Sequence, residues 1–452
     1  MPVAPAFRPA TRHADLGDAF YDAVAPATFP RPVLRHRDQR WAARIGLDTL
    51  TDAEWIDHMG RFVPLPGSFE RPLALRYHGH QFQHYNPDLG DGRGFLFAQM
   101  HDLQDGRLLD LGTKGSGTTP WSRSGDGRLT LKGGVREVLA TELLEALGVE
   151  TSKSLSLIET GEELVRSDEP SPTRAAVLVR LNHSHVRIGT FQRMAYLGDT
   201  GSLRRLLDYA VRTYLPKTWR DEEPARAAAF LAEVCRRVAR MGAQWMAAGF
   251  VHGVLNTDNI NITGESFDYG PWRFLPTYDP AFTAAYFDHN GLYAYGRQPQ
   301  TLLWNLTRLA ECLLPLADKD ALVAALEAFA PAFRAEHDAA LLRRLGLSSA
   351  GPDQDAALSQ AWWTALAESQ VPFEQAFADW FGGQRPRGYS AAFDPVRACR
   401  HATSGGPARP PVTLLIDEVE ALWAPIAEHD DWSTFHCKIE EIGRSASVGG
   451  RG

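Results

Sequence analysis

The hydrophobic period of this chain changes once, near residue 200, and the change fixes what it can fold into. Before it, apolar residues come in short runs bounded by Gly and Asp, the pattern of strands joined by tight turns. GFLFAQMHD (94–102) and GRLLDLGTK (106–114) are predicted strands with a hairpin turn at Asp105-Gly106. SLSLIET (154–160) and ELVRS (163–167) make a second predicted pair about Gly161, and AAVLVRL (175–181) is a further strand. One helix interrupts them over 134–147, with Val135, Leu139, Leu143 and Leu147 in an apolar stripe and Gly148 as its stop. Beyond residue 200 the spacing turns helical. Segment 225–248 puts Phe230, Val234, Val238, Met241 and Trp245 on one face and ends at Gly249. Segment 300–314 repeats this with Leu302, Leu306, Leu309 and Leu313. The expected class is α+β, a sheet-rich half followed by a helix-rich half. Residues 1–75 read as an irregular extension wrapped on the core. TSGGPARPP (403–411) reads as a linker, TLLIDEVEALWAPIAEHDDW (413–432) as a terminal helix and SASVGGRG (445–452) as a disordered end.

Charge then narrows the function. The 452 residues carry 47 Lys+Arg against 55 Asp+Glu, a net charge of -8, which argues against a binder of phosphate backbones. An enzyme with a local cationic cluster for one anionic ligand remains open. No run approaches the ~18–20 apolar residues of a membrane span. The first residues lack an apolar signal region and already contain Asp15 and Asp18. Cys235, Cys312, Cys399 and Cys437 lie far apart with no CxxC pair, so neither structural zinc nor a disulfide framework is expected. The expectation is a reduced, cytoplasmic protein with neither nucleic-acid nor membrane partners.

Four constellations could carry chemistry. LGDGRG (89–94) sets Gly90, Gly92 and Gly94 around Asp91 and Arg93, either a plain turn or a close approach to a phosphate. Lys114 closes a predicted strand, and Glu137 lies in the following helix, off its apolar stripe. A strand lysine held by a helix glutamate is how kinase folds aim an ammonium at nucleotide phosphates, although two unrelated surface charges would look the same. Between them RSGDGR (123–128) offers Asp126 and Gly127 in a second flexible loop. Arg180, inside an apolar strand, needs an anionic partner, either a carboxylate or a bound phosphate, and Arg187 follows it. The flanking His183 and His185 receive no role. Last come HGVLNTDN (252–259), a short predicted strand at Ile260 and Ile262, and FDYG (267–270). Their order and spacing match a kinase catalytic loop followed by its metal-binding Asp. Asn259 and Asp268 are hard oxygen donors suited to Mg²⁺. Val254 stands where a kinase keeps its base, which leaves Asp258 as the only carboxylate of the loop.

Taken together, these residues resemble the selenoprotein O (YdiU) family, kinase-like proteins that act as protein adenylyltransferases. GHQF (79–82), LGDGRG, KGSGTTPWSRSGDGR (114–128), SHVRIG (184–189), HGVLNTDN and FDYGPW (267–272) carry the resemblance over about 80–310. It implies a bilobal fold, with an N-terminal extension 1–75, an N-lobe 76–182, a helical C-lobe 183–385 and a linker with a C-terminal helical extension 386–452. It implies ATP bound in reverse, so that AMP rather than the γ-phosphate passes to a Ser, Thr or Tyr hydroxyl of a protein, the enzyme itself included. Gly90, Gly92, Arg93, Lys114, Asp126, Gly127, Arg180, Arg187 and Asp268 would bind the nucleotide, with Glu137 holding Lys114. Asp258 would be the catalytic base, and Asn259 and Asp268 the Mg²⁺ ligands. UTP and Mn²⁺ are the implied alternative donor and metal. Many members end in a Cys- or selenocysteine-containing motif tied to redox control, whereas this chain has only Cys437 near its end, and the segment after about 386 departs from the family pattern. A kinase-like phosphotransferase and a silent nucleotide-binding scaffold are the competing readings.

Overall fold

Strand Leu108–Lys114 lies in the middle of a nine-stranded antiparallel sheet, and its neighbours dictate where the site forms. The computed structural model describes residues 3–167, 169–405 and 410–447. Across the sheet the strands run Tyr21–Ala23, Leu73–Leu75, Leu96–His101, Leu108–Lys114, Thr173–Asn182, Lys153–Leu164 and Val33–Arg37. Pro9–Ala10 and Leu129–Thr130 pair off this path. Helices supply most of the rest, so the fold is mixed α/β around one large sheet.

Side-chain alternation sorts the two central strands. Leu109, Leu111, Val177, Val179 and Leu181 pack with Trp41, Trp55, Phe95 and Phe97 on one face. Leu108, Ala176 and Leu178 pack on the other, against helix Leu131–Ala146. The same two-residue period puts Lys114 and Arg180 on the helix side. That helix starts where Thr130 accepts a hydrogen bond from the Gly133 amide, a favourable N-cap. It is buried almost all round, Glu137 included, rather than along one stripe.

Several segments depart from the sequence reading. The first 75 residues are more regular than their composition implies, with strands on both edges of the sheet and helices Gln39–Arg44 and Asp52–Met59. The expected hairpin about Gly161 is instead one strand, Lys153–Leu164, paired with Thr173–Asn182 throughout. Gly161 uses its positive φ (+77°) inside an irregularity of the ladder between Glu159 and Glu163. Ile260 and Ile262 form no strand. Both are buried, but the segment has only one bridge, Arg187 to Asn261, and no neighbouring strand to pair with.

Helix Glu223–Ala248 ends at Gly249 in the left-handed region (φ +64°), as its sequence predicts. The chain then forms strand Phe250–His252, which pairs with Trp272–Phe274 and so pins both ends of the intervening loop. The predicted terminal helix is present, and a second, unpredicted helix follows it. Ile416–His429 stops at Asp430, whose φ is +52°, and Ser433–Ser447 follows. Val419, Ile426, Phe435 and Ile442 join the core that also contains Val135 and Leu139. Lys132 pairs with Glu420 at 2.7 Å, and Arg174 pairs with Asp430 at 2.6 Å, so this helix pair covers the outer face of the Glu137 helix. Of the expected disordered end, 445–447 is helical and 448–452 lies outside the described residues, as do 406–409 of the expected linker. Among the described residues no helix is long and apolar enough to cross a membrane. The four cysteines are unbonded thiols.

Candidate active site

A cleft of about 620 Å³ opens between the loops of the sheet half and the 253–271 loop, within the usual size of a nucleotide-sized pocket. Gly90, Gly92, Arg93, Lys114, Asp126, Gly127, Arg180, Arg187, Asp258 and Asp268 all line it. Glu137 stands behind Lys114, and Asn259 is off the lining. Seven basic and five acidic side chains face the cleft, the reverse of the chain's overall balance.

The sheet supplies Lys114 and Arg180 to the cationic wall, and Arg187 stands just before helix Ile188–Tyr196. Lys114 forms an ion pair with Glu137 and lies 2.8 Å from Asp268 Oδ1. Arg180 reaches the same oxygen at 3.3 Å. Arg187 lies 3.9 Å from Asp268 Oδ2 and 3.4 Å from Asp91, and donates to the Asp258 carbonyl at 3.1 Å. Its guanidinium also stacks 4.2 Å over Tyr77 and 5.1 Å over Phe267. Burial alone would raise the pKa of Asp268, but Lys114, Arg180 and Arg187 outweigh it and hold the carboxyl well below the usual range. Asp258 behaves oppositely. Burial pushes it up to about 7, with Arg187 opposing and the Asp268 charge adding. The Nε atoms of Arg180 and Arg187, together with Asp258 Oδ1, are buried without hydrogen-bond partners. Buried donors left unpaired are costly, and the basic excess of the cleft lining matches an anionic ligand.

The carboxylate wall has little regular structure. Asp268 itself has φ +64°, a conformation uncommon outside glycine and tolerated best by Asn and Asp. Asn305 donates to the Leu255 carbonyl at 2.9 Å, and Asn259 Nδ2 donates to the Val254 carbonyl at 2.8 Å. With its nitrogen committed, Asn259 keeps its oxygen as a ligand donor. Asp268, Asn259 and Asp258 therefore offer hard oxygens only, a donor set that fits Mg²⁺ or Mn²⁺ and not a soft metal. A second acidic group, Asp38 with Glu142 and Glu145, is an internal ion-pair cluster with Arg40 and Lys153.

The two glycine loops hold each other. The Trp121 indole lies against Gly90, Ser122 donates to the Gly92 carbonyl, and Thr119 donates to the Asp91 carbonyl at 2.5 Å. Asp126 pairs with Arg166 at 2.8 Å and accepts the Arg128 amide at 2.9 Å. His183 and His185 are held through backbone bonds to Glu265 and Asp110, away from the cleft lining. Sequence reasoning assigned no role to Tyr77, Gln81, Trp121, Arg166 or Phe267. Only Gln81 and Trp121, and Phe267 in FDYG, lay within noted motifs. Nothing in the sequence marked Tyr77 or Arg166.

Known proteins resemble this chain over most of its length. The family described as protein adenylyltransferase SelO matches residues 6–388. A protein nucleotidyltransferase YdiU of Gloeobacter violaceus is 47% identical, over 96% of this chain and 95% of its own. Its counterpart in Trichormus variabilis is 44% identical over 94% of each chain. That of Methylorubrum populi is 40% identical over 93% of this chain and 80% of its own.

Proposed function

Because this chain belongs to the protein adenylyltransferase SelO family, a family of AMPylating enzymes, we propose that it transfers AMP from ATP to Ser, Thr or Tyr hydroxyls of proteins, itself included, and releases pyrophosphate. UTP is the alternative donor, giving UMP. In this reading 76–182 and 183–385 are the two lobes of a kinase-like fold, 1–75 and 386–452 are extensions, and the enzyme works in the cytoplasm.

One observation carries the reading. The cleft is lined by the carboxylate of Asp258, while Val254, at the kinase base position, has no group that accepts a proton. A hydroxyl approaching Asp258 enters from a different position than in a kinase, which suits attack at the α-phosphorus of a reversed nucleotide. Asp258 takes the hydroxyl proton as the oxygen bonds to the α-phosphorus, and the bond to the β-phosphate bridge oxygen breaks. A carboxyl with a pKa near 7 is well matched to that task at neutral pH. Lys114, steadied by Glu137, joins Arg180 and Arg187 in stabilising charge on the phosphates. Gly90, Gly92, Arg93, Asp126 and Gly127 bind the nucleotide from the facing loops. Mg²⁺ or Mn²⁺ on Asn259 and Asp268 would supply further charge neutralisation at the phosphates.

The test is transfer from α-labelled and γ-labelled ATP, run side by side. Only the α-label should reach protein. Strong γ-label transfer would restore the phosphotransferase, and neither label with nucleotide still bound would restore the scaffold.

A further inference from the structure

The segment Gly79–Asn86 is a small hairpin, separate from the large sheet, in which Gly79–Gln81 pairs with His84–Asn86. Its two turn residues, Phe82 and Gln83, both lie in the left-handed region, at φ +48° and +64°. Such a turn prefers Asn and Gly, so the hairpin is not formed for its own local stability. What holds it is the loop of Asp258. The Phe82 amide donates to Asn256 Oδ1 at 3.1 Å, and the His80 amide donates to Thr257 Oγ1 at 2.7 Å. Thr257 in turn donates to Gln192 Oε1 at 2.5 Å, and Gln192 bonds the His80 ring at 2.7 Å. Both residues directly before Asp258 are thus fastened to the hairpin.

Asp258 itself meets the hairpin twice. Gly79 lies so close that a Cβ there would stand 2.9 Å from Asp258 Oδ1. Gln81 lines the cleft beside Asp258 and makes a side-chain polar contact with it. Asn86 donates to Gln81 Oε1 at 3.1 Å, which occupies the acceptor end of that amide and leaves its N–H groups for the carboxylate. We propose that Gln81 is a positioning residue for Asp258, oriented by Asn86 and carried by a hairpin whose contacts fix the direction of the carboxylate. This rests on the reading of Asp258 as the base.

The experiment is a double-mutant cycle of Gln81→Ala and Asp258→Ala, measuring ATP affinity, melting temperature and AMP transfer. Gln81→Ala should lower kcat about ten- to a hundredfold, the range typical of groups that orient a functional side chain, with KM for ATP and the melting temperature near wild type. In the Asp258→Ala background it should cost nothing further, because its effect passes through the carboxylate. Gln81→Glu, similar in size but without the donor, should not restore kcat. Gly79→Ala, which displaces the carboxylate directly, should lower kcat in the same way. Full kcat in Gln81→Ala beside an inactive Asp258→Ala overturns this inference alone. So does an equal loss in both backgrounds, or a loss confined to KM. Transfer retained by Asp258→Ala overturns the base assignment and this inference with it.

Discussion

Lys114 and Arg180 stand on adjacent strands of the large sheet, whereas Asp258 and Asp268 stand on irregular backbone between two three-residue strands. On the sheet, side-chain direction follows from alternation and from a continuous ladder of backbone bonds. On the loop it follows from single bonds, each made by one side chain to one backbone or side-chain atom. The difference teaches where the site is tolerant. A substitution on the sheet wall should act through the charge it removes, while one on the loop wall should also act through the direction it releases.

The strongest way to break the comparison is Asp258→Ala. General-base help is worth about 10²–10⁴-fold, so transfer should fall by that factor with ATP affinity largely kept. Labelled-transfer and binding assays on the same preparation check it. Lys114→Ala tests the sheet wall. Lys114 and Glu137 are 6% and 2% exposed, and removing one partner of a buried ion pair costs about 3–5 kcal/mol. Denaturation should therefore show a marked loss, and Glu137→Gln added to it should recover stability without recovering transfer. Asp268→Asn is expected to cut the metal-dependent part of ATP affinity by about tenfold or more, since Asn259 alone is a neutral ligand. ATP titrations with and without Mg²⁺ measure this, and an unchanged difference would remove Asp268 from the metal site. The mildest change is Thr130→Ala, which removes the cap of the Glu137 helix. It should cost about 1 kcal/mol in urea denaturation and leave kcat near wild type.

The walls also differed in how far the sequence revealed them. Lys114 and Arg180 were legible because strands alternate, and an arginine in AAVLVRL needs an anion whatever the fold. The partnership of Lys114 with Glu137 was only one of two readings, since a helix covered on all sides has no polar face to mark its buried acid. The second terminal helix, Ser433–Ser447, which does that covering, has only Phe435 and Ile442 buried in the core among its described residues, too few apolar positions to stand out in the sequence. Asp258 drew notice as the only carboxylate of its loop, and it lines the cleft. Tyr77 and Arg166 drew none, because their roles arise from contacts across 110 and 40 residues respectively and leave no local pattern. Gly161 failed differently. A glycine between two apolar runs signals a turn, but here the long pairing with Thr173–Asn182 prevails over it.

The helix pair 416–447 has a consequence for how the protein is made. Lys114 and Glu137 leave the ribosome early, and the helices that bury the outer face of the Glu137 helix follow only after the whole helical half has emerged. Until then that helix shows water an apolar surface that its neighbours in the finished molecule conceal. A growing chain thus carries Lys114 and Glu137 well before it carries the brace, 416–447, that covers their helix.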